Sequence, residues 1–273
     1  MTPGALSPEI ERVKTRLKHI WMAGDYGRFS RYMEGNARDF YERLNVAPGC
    51  RLLDVGCGFG KPALMAAKDG LEVNGVDIAS NLVERAQVRA QAEGLQARFE
   101  EADAEALPFE DTSFDVVASL IGAMFASRPE LVAKELLRVC EPGGTIAMAN
   151  WTPQGFIGQL FKAVSTFIAP VGMLPPVLWG DEATVRARLS EGLSYLSLIR
   201  RDYTLSYPFP PSEVVEFIRL YYGPTNQAFA ALDVGGREHL RQELEALWFS
   251  HNRAGRDCTT VLAEYLEVIG IRA

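Results

Sequence analysis

The sequence predicts an α/β protein built on a doubly wound, mostly parallel sheet, and three observations carry that reading. Between residues 45 and 151 short apolar runs at 51–55, 72–77, 97–102, 114–119 and 144–150 alternate with helical patterns such as 79–93 and 129–140. Such alternation implies crossover units, and therefore parallel strands with helices on both faces. The first run, Leu52-Leu53-Asp54-Val55, ends in alternate glycines at Gly56, Gly58 and Gly60, with Pro62 where a helix would begin. Proline is pre-set for a first helical turn, so the glycines fall on a strand-to-helix connection. Finally, Asp77 closes the second run 19 positions after Gly58, the separation at which doubly wound folds place an acidic residue for ribose hydroxyls.

Taken in order, residues 9–44 read as helical, with Trp21, Tyr26, Phe29, Tyr32 and Phe40 set among charges. This segment either folds over the carboxyl edge of the sheet or fills a core with its aromatics; the pattern serves both. After the core segment, Phe156, Leu160, Phe161, Val164, Phe167 and Ile168 form a wide apolar stripe at helical spacing, then a proline-rich stretch 169–179 and a helix near 181–190. The stripe either faces the core or forms a lid over an apolar pocket. Residues 194–207 read as a strand pair or one long strand, 212–221 and 226–250 as helices, and 260–268 as a closing strand.

The glycine turn carries the chemistry. Glycine accepts positive φ and lets a ligand approach the backbone, while exposed amides at the helix start attract negative charge. A nicotinamide dinucleotide fingerprint needs Gly-x-Gly-x-x-Gly, but here the third glycine comes one place early, at Gly60, and Lys61 holds the dinucleotide position. Asp54-Val55-Gly56-Cys57-Gly58-Phe59-Gly60 resembles the acidic-x-Gly-x-Gly-x-Gly motif of class I S-adenosylmethionine-dependent methyltransferases. The segments 103–109, 114–119 and 137–144 resemble that family's later blocks, in order. The nearest likeness is to the branch of ubiquinone and menaquinone C-methyltransferases and small-molecule methyltransferases.

The resemblance implies a Rossmann-like sheet of about seven strands, the last one antiparallel and inserted between two others. It implies four parts: an N-terminal helical cap (1–44), an S-adenosylmethionine-binding core (45–151), a helical lid insertion (152–192) and a C-terminal completion of the sheet (193–273). It assigns Asp54, Gly56 and Gly58 to the methionine portion, with Cys57 packing the same turn. Asp77 takes the ribose hydroxyls, Ile78 lies beside the adenine, and Asp103 and Ala104 also meet the adenine. Ser119 lies near the sulfonium and Tyr26 belongs to the covering segment. Without a ligand, Asp103 would be a helix cap and Ser119 an ordinary strand-end residue. Trp151, Tyr221 and Tyr222 are candidates for the acceptor pocket; no catalytic residue is assigned, and His251 is either a general base or a satisfied or solvent-exposed histidine.

Several classes are disfavoured. The fourth strand ends Ser119-Leu120-Ile121-Gly122, lacking the Asn/Asp-Pro-Pro-Tyr grip of nucleic-acid amino methylases and the acidic residue of metal-dependent catechol methyltransferases. Hard cations want clustered oxygens, so no metal is expected. The four cysteines, at 50, 57, 140 and 258, form no Cys-x-x-Cys pair, which fits reduced thiols in the cytoplasm. A net charge of −7 and a pI near 5.2 argue against nucleic acid as the main partner. The charged N-terminal segment lacks a secretory core, and the uncharged run 163–179, broken by Pro170, Pro175 and Pro176, is no transmembrane span. A monomer and a homodimer are both compatible with this reading. The expected activity is metal-independent methyl transfer to carbon or oxygen of a small, largely apolar molecule, a quinone precursor or secondary metabolite. The alternative is a non-methylating S-adenosylmethionine-binding protein on the same scaffold.

Overall fold

A computed structural model describes residues 7–168 and 172–273. The N-terminal segment forms α1 (Pro8–Met22), the short α2 (Tyr26–Phe29), a 3₁₀ turn at Ser30–Met33 and α3 (Glu34–Leu44). Pro8 opens α1 at a position with no amide to lose, and the Ser7 side chain accepts from the Ile10 amide. The core follows as β1 (Arg51–Val55), α4 (Lys61–Lys68), β2 (Glu72–Asp77), α5 (Ser80–Ala92), β3 (Ala97–Glu101), β4 (Phe114–Leu120), α6 (Pro129–Val139) and β5 (Cys140–Trp151). The remainder supplies α7 (Phe156–Ser165), α8 (Glu182–Leu189), β6 (Leu193–Tyr207), α9 (Pro211–Tyr221), α10 (Gly223–Ala231), α11 (Val234–His251) and β7 (Thr259–Arg272).

The seven strands form one sheet in the order β3-β2-β1-β4-β5-β7-β6. Neighbours from β3 to β5 run parallel, while β7 is antiparallel to both β5 and β6 and lies between them. The inserted antiparallel strand is thus as expected. Its length is not: β7 pairs with β6 from Thr259 to Arg272, because β6 is one continuous strand, its register shifting between Leu193 and Tyr195. The helix expected over 226–250 is two helices. Asp233 breaks it by accepting from the Gly236 amide as the cap of α11.

Because β1 to β5 are parallel, their carboxyl ends share one edge, where ligands of doubly wound sheets bind. Apolar residues cover both faces: Leu53, Val55, Val117, Ile146 and Met148 belong to one cluster, Leu52, Val73, Val116 and Phe99 to the other. The opposite, amino edge is tied by charge, with Arg51 of β1 bonded to Asp115 of β4 and Glu141 of β5, each at 2.7 Å. Among the described residues no helix is long and apolar enough to cross a membrane.

Leu53 is fully buried in the strand that carries the glycine turn. Leu53→Ala should cost about 2–5 kcal/mol of unfolding free energy, the usual range for a core leucine. Urea denaturation measures it, and a loss below about 1 kcal/mol would contradict this placement.

Candidate functional site

The carboxyl ends of β1, β2 and β4 meet the N-terminal segment around a cavity of about 140 Å³. The turn after β1 holds Gly56 and Gly58 at φ of 74° and 54°, conformations that suit glycine. They answer to different neighbours. A Cβ on Gly56 would lie 2.6 Å from the Gly122 Cα, so this glycine lets the loops after β1 and β4 touch. At Gly58 the nearest atom to a Cβ is a Tyr26 ring carbon 3.9 Å away, so the backbone there is left open to the cavity.

Asp77 fastens this turn to the end of β2. One of its oxygens accepts from the Gly58 amide and the other from the Ala79 amide, both at 2.9 Å. A carboxylate has about four acceptor positions, so each oxygen keeps capacity for a ligand hydroxyl. Burial raises the Asp77 carboxyl above its ordinary range, against these backbone donors.

Asp54 is the sharper case. It is 1% exposed, and its Oδ2 has no hydrogen-bond partner among the described residues. Burial, reinforced by the negative charge of Asp77, pushes its carboxyl up to about 7, while the Ala63 amide pulls the other way. A buried carboxylate without a full complement of donors is costly. A ligand ammonium or N–H would relieve it.

The N-terminal segment closes the cavity: Lys14, Leu17 and Trp21 of α1 and Tyr26 of α2 all line it. Lys14 pairs with Asp103 and, at 2.6 Å, with Glu105, while Lys18 pairs with Glu101 at the end of β3. Against burial, Lys14 first and then Ser127 and Arg128 hold the Glu105 carboxyl down at about 2. Asp103 also accepts from the Glu105 amide at 2.9 Å, closing a turn instead of capping a helix. The segment combines features of both readings: Phe29 and Phe40 are buried in the core while Lys14, Leu17 and Trp21 line the cavity.

Ile78, Cys57 and Ala104 line the same cavity. Ser119 does not, which corrects the expectation that it stands beside the sulfonium. It is 1% exposed, donates to the Val55 carbonyl at 2.6 Å and accepts from the Ala123 amide at 2.8 Å. Its hydroxyl is spent stapling the ends of β1 and β4. The next residues, Leu120, Ile121 and Gly122, line the cavity, with Ile121 at φ 56°, uncommon for a β-branched residue. Sequence offered no sign of it beyond the neighbouring Gly122.

A smaller cavity, about 40 Å³, shares Trp21, Tyr26, Met33, Ile121 and Phe125 with the first. Trp151 and Tyr222 line it; Tyr221 lines neither cavity, its hydroxyl accepting from Arg28 at 3.2 Å. His251 is also outside both. It ends α11 with Nδ1 against the Leu247 carbonyl at 3.1 Å and its ring edge-on to Phe156, which fits the satisfied histidine of its two readings. Sequence reasoning missed Lys14 and Glu105 of the larger cavity and Tyr207 of the smaller one. Only contacts across 89 residues, for Lys14 and Asp103, reveal the first.

The chain matches the family model for a methyltransferase domain over residues 53–148. An uncharacterised protein of Mycobacterium tuberculosis is 36% identical over 248 residues, covering 90% of each chain. The chain belongs to the class I S-adenosylmethionine-dependent methyltransferases. The methyltransferase GfsG of Streptomyces halstedii is 39% identical over 134 residues, 48% of each chain. The fold resembles Haemonchus contortus phosphoethanolamine N-methyltransferase 2, solved with phosphomonomethylethanolamine and S-adenosylhomocysteine, at a TM-score of 0.58 and 18% identity. That likeness covers 87% of this chain and 52% of the other. The methyltransferase thus uses S-adenosylmethionine, and the unpartnered Asp54 oxygen and the open Gly58 backbone fit such a ligand. Among the described residues no group of three or more His, Cys, Asp or Glu is placed to hold a metal ion.

The Asp54 shift makes stability depend on pH. Below about pH 4 the carboxyl is protonated in both folded and unfolded chains. As pH rises towards 7 only the unfolded chain ionises fully, so folding loses up to about 1.4 kcal/mol per pH unit from this group. Urea denaturation of the ligand-free protein should show Asp54→Asn gaining on the wild type between pH 4.5 and 7.5. A difference that stays constant across that range would contradict the raised value.

Proposed function

We propose that this methyltransferase acts, without a metal, on carbon or oxygen of a small and largely apolar molecule of the quinone-precursor or secondary-metabolite kind. The observation that carries this is the wall of the smaller cavity, which among the described residues contains no charged side chain and adjoins the larger cavity through five shared residues. An acceptor carrying a phosphate or an ammonium would be desolvated there without a counter-charge.

When bound, S-adenosylmethionine supplies a methyl carbon on a sulfonium, already activated for transfer. The chain then has to hold and enclose. In this reading Asp54 meets the methionine amine, Asp77 takes the ribose hydroxyls, and Asp103 with Ala104 and Ile78 borders the adenine. Tyr26 and Trp21 stand between donor and acceptor chambers, where they exclude water and align the partners. Among the described residues the smaller cavity offers no carboxylate or histidine, so this reading assigns no side chain as general base.

Methyl-labelled S-adenosylmethionine incubated with neutral phenols and hydroquinones should give label in an organic-extractable product, with one S-adenosylhomocysteine per methyl transferred and no loss in EDTA. Transfer only to phosphorylated or amino acceptors, or its abolition by EDTA, would overturn this reading.

A further inference from the structure

The tyrosines divide in a way that methyl transfer by itself does not explain. Six of the nine lie outside the smaller cavity, and five of those have a hydroxyl partner. Tyr41 donates to Asp69 at 2.9 Å and Tyr203 to the Met33 carbonyl at 3.0 Å. Tyr265, Tyr32 and Tyr221 accept from Arg43, Arg31 and Arg28. The sixth, Tyr195, is exposed to water. The remaining three, Tyr26, Tyr207 and Tyr222, all line the smaller cavity, and their hydroxyls make no hydrogen bond among the described residues. The three hydroxyls are not sealed from solvent, so their hydrogen-bonding capacity stays open to a ligand atom at this one chamber.

These phenols come from distant parts of the chain, α2, the end of β6 and the end of α9. They are close enough that Tyr26 and Tyr207 both act on the ionisation of Tyr222, and Tyr26 acts on that of Tyr207. Burial raises all three, Tyr26 to about 12, so they remain neutral donors that can also accept. Trp248 adds a buried indole N–H without a partner on the same wall. The rest of the lining is aliphatic or aromatic.

Resting on the methyltransferase reading above, we infer that Tyr207 and Tyr222 are specificity-determining residues that hold the acceptor by a hydroxyl or carbonyl oxygen, and that the acceptor is an uncharged ring compound. The aromatic wall takes the ring and the phenols take its oxygen. A ring without oxygen leaves the hydroxyls unpaired, which is costly; a charged ring is worse.

Equilibrium dialysis of 1-naphthol, naphthalene and 1-naphthoate against protein saturated with S-adenosylhomocysteine tests this. The wild type should bind 1-naphthol at least tenfold more tightly than 1-naphthoate and several-fold more tightly than naphthalene. Tyr207→Phe and Tyr222→Phe should each shrink the naphthol-to-naphthalene ratio towards one while leaving S-adenosylhomocysteine affinity unchanged. The wild-type ordering alone suffices if a variant fails to fold. Naphthoate binding as well as naphthol, no probe binding to the loaded protein, or an unchanged ratio in folded variants would overturn the inference. Failure of the wild type to bind S-adenosylhomocysteine would instead strike at the reading on which it rests.

Discussion

A buried carboxylate with an unmet hydrogen-bonding capacity is the constraint on which this site turns. Asp54 sits near the end of a strand in which Leu52, Leu53 and Val55 are buried, so its position is fixed by their packing and cannot relax towards water. Asp77 lies close enough to raise it further. At the amino edge of the sheet the equivalent problem is solved internally, because Arg51 serves both Asp115 and Glu141. At the carboxyl edge it is left for a ligand, as expected where function is stored as local instability.

The same logic extends outward. The glycines after β1 allow two loops to touch, Ser119 staples the strand ends beneath them, and the cavity forms between those loops and α1. Lys14 and Lys18 bring α1 down onto the acidic ends of β3 and the following loop. The C-terminal half then adds β6, α9 and α11, whose aromatic residues enclose the second, uncharged chamber. One chamber is acidic and polar at its base, the other apolar with phenols, and Tyr26 and Trp21 belong to both.

Local pattern made the donor half of this arrangement legible. The glycine turn, Asp54, Asp77 and Asp103 lie within one run of crossover units, where strand ends fall at predictable positions and ligands gather beyond them. Ser119 was misread because residue type and strand-end position do not show which way a hydroxyl is spent. His251 stayed open between two readings because a histidine after a long helix can equally cap its last turn, and its Nδ1 lies against the Leu247 carbonyl. Tyr207 was invisible because a tyrosine alternating along a strand looks like any core residue until β6 is placed beside α2 and α9. The acceptor half is made of contacts between segments far apart in sequence, and short-range periodicity carries no record of them.

Calorimetric titration with S-adenosylhomocysteine tests most directly whether the unpartnered Asp54 carboxylate organises the site. The wild-type chain should bind one ligand, and folded Asp54→Asn should bind it with at least a tenfold weaker Kd, as loss of a charge-assisted contact of about 1.5–3 kcal/mol implies. Equal affinity in the two proteins would contradict it.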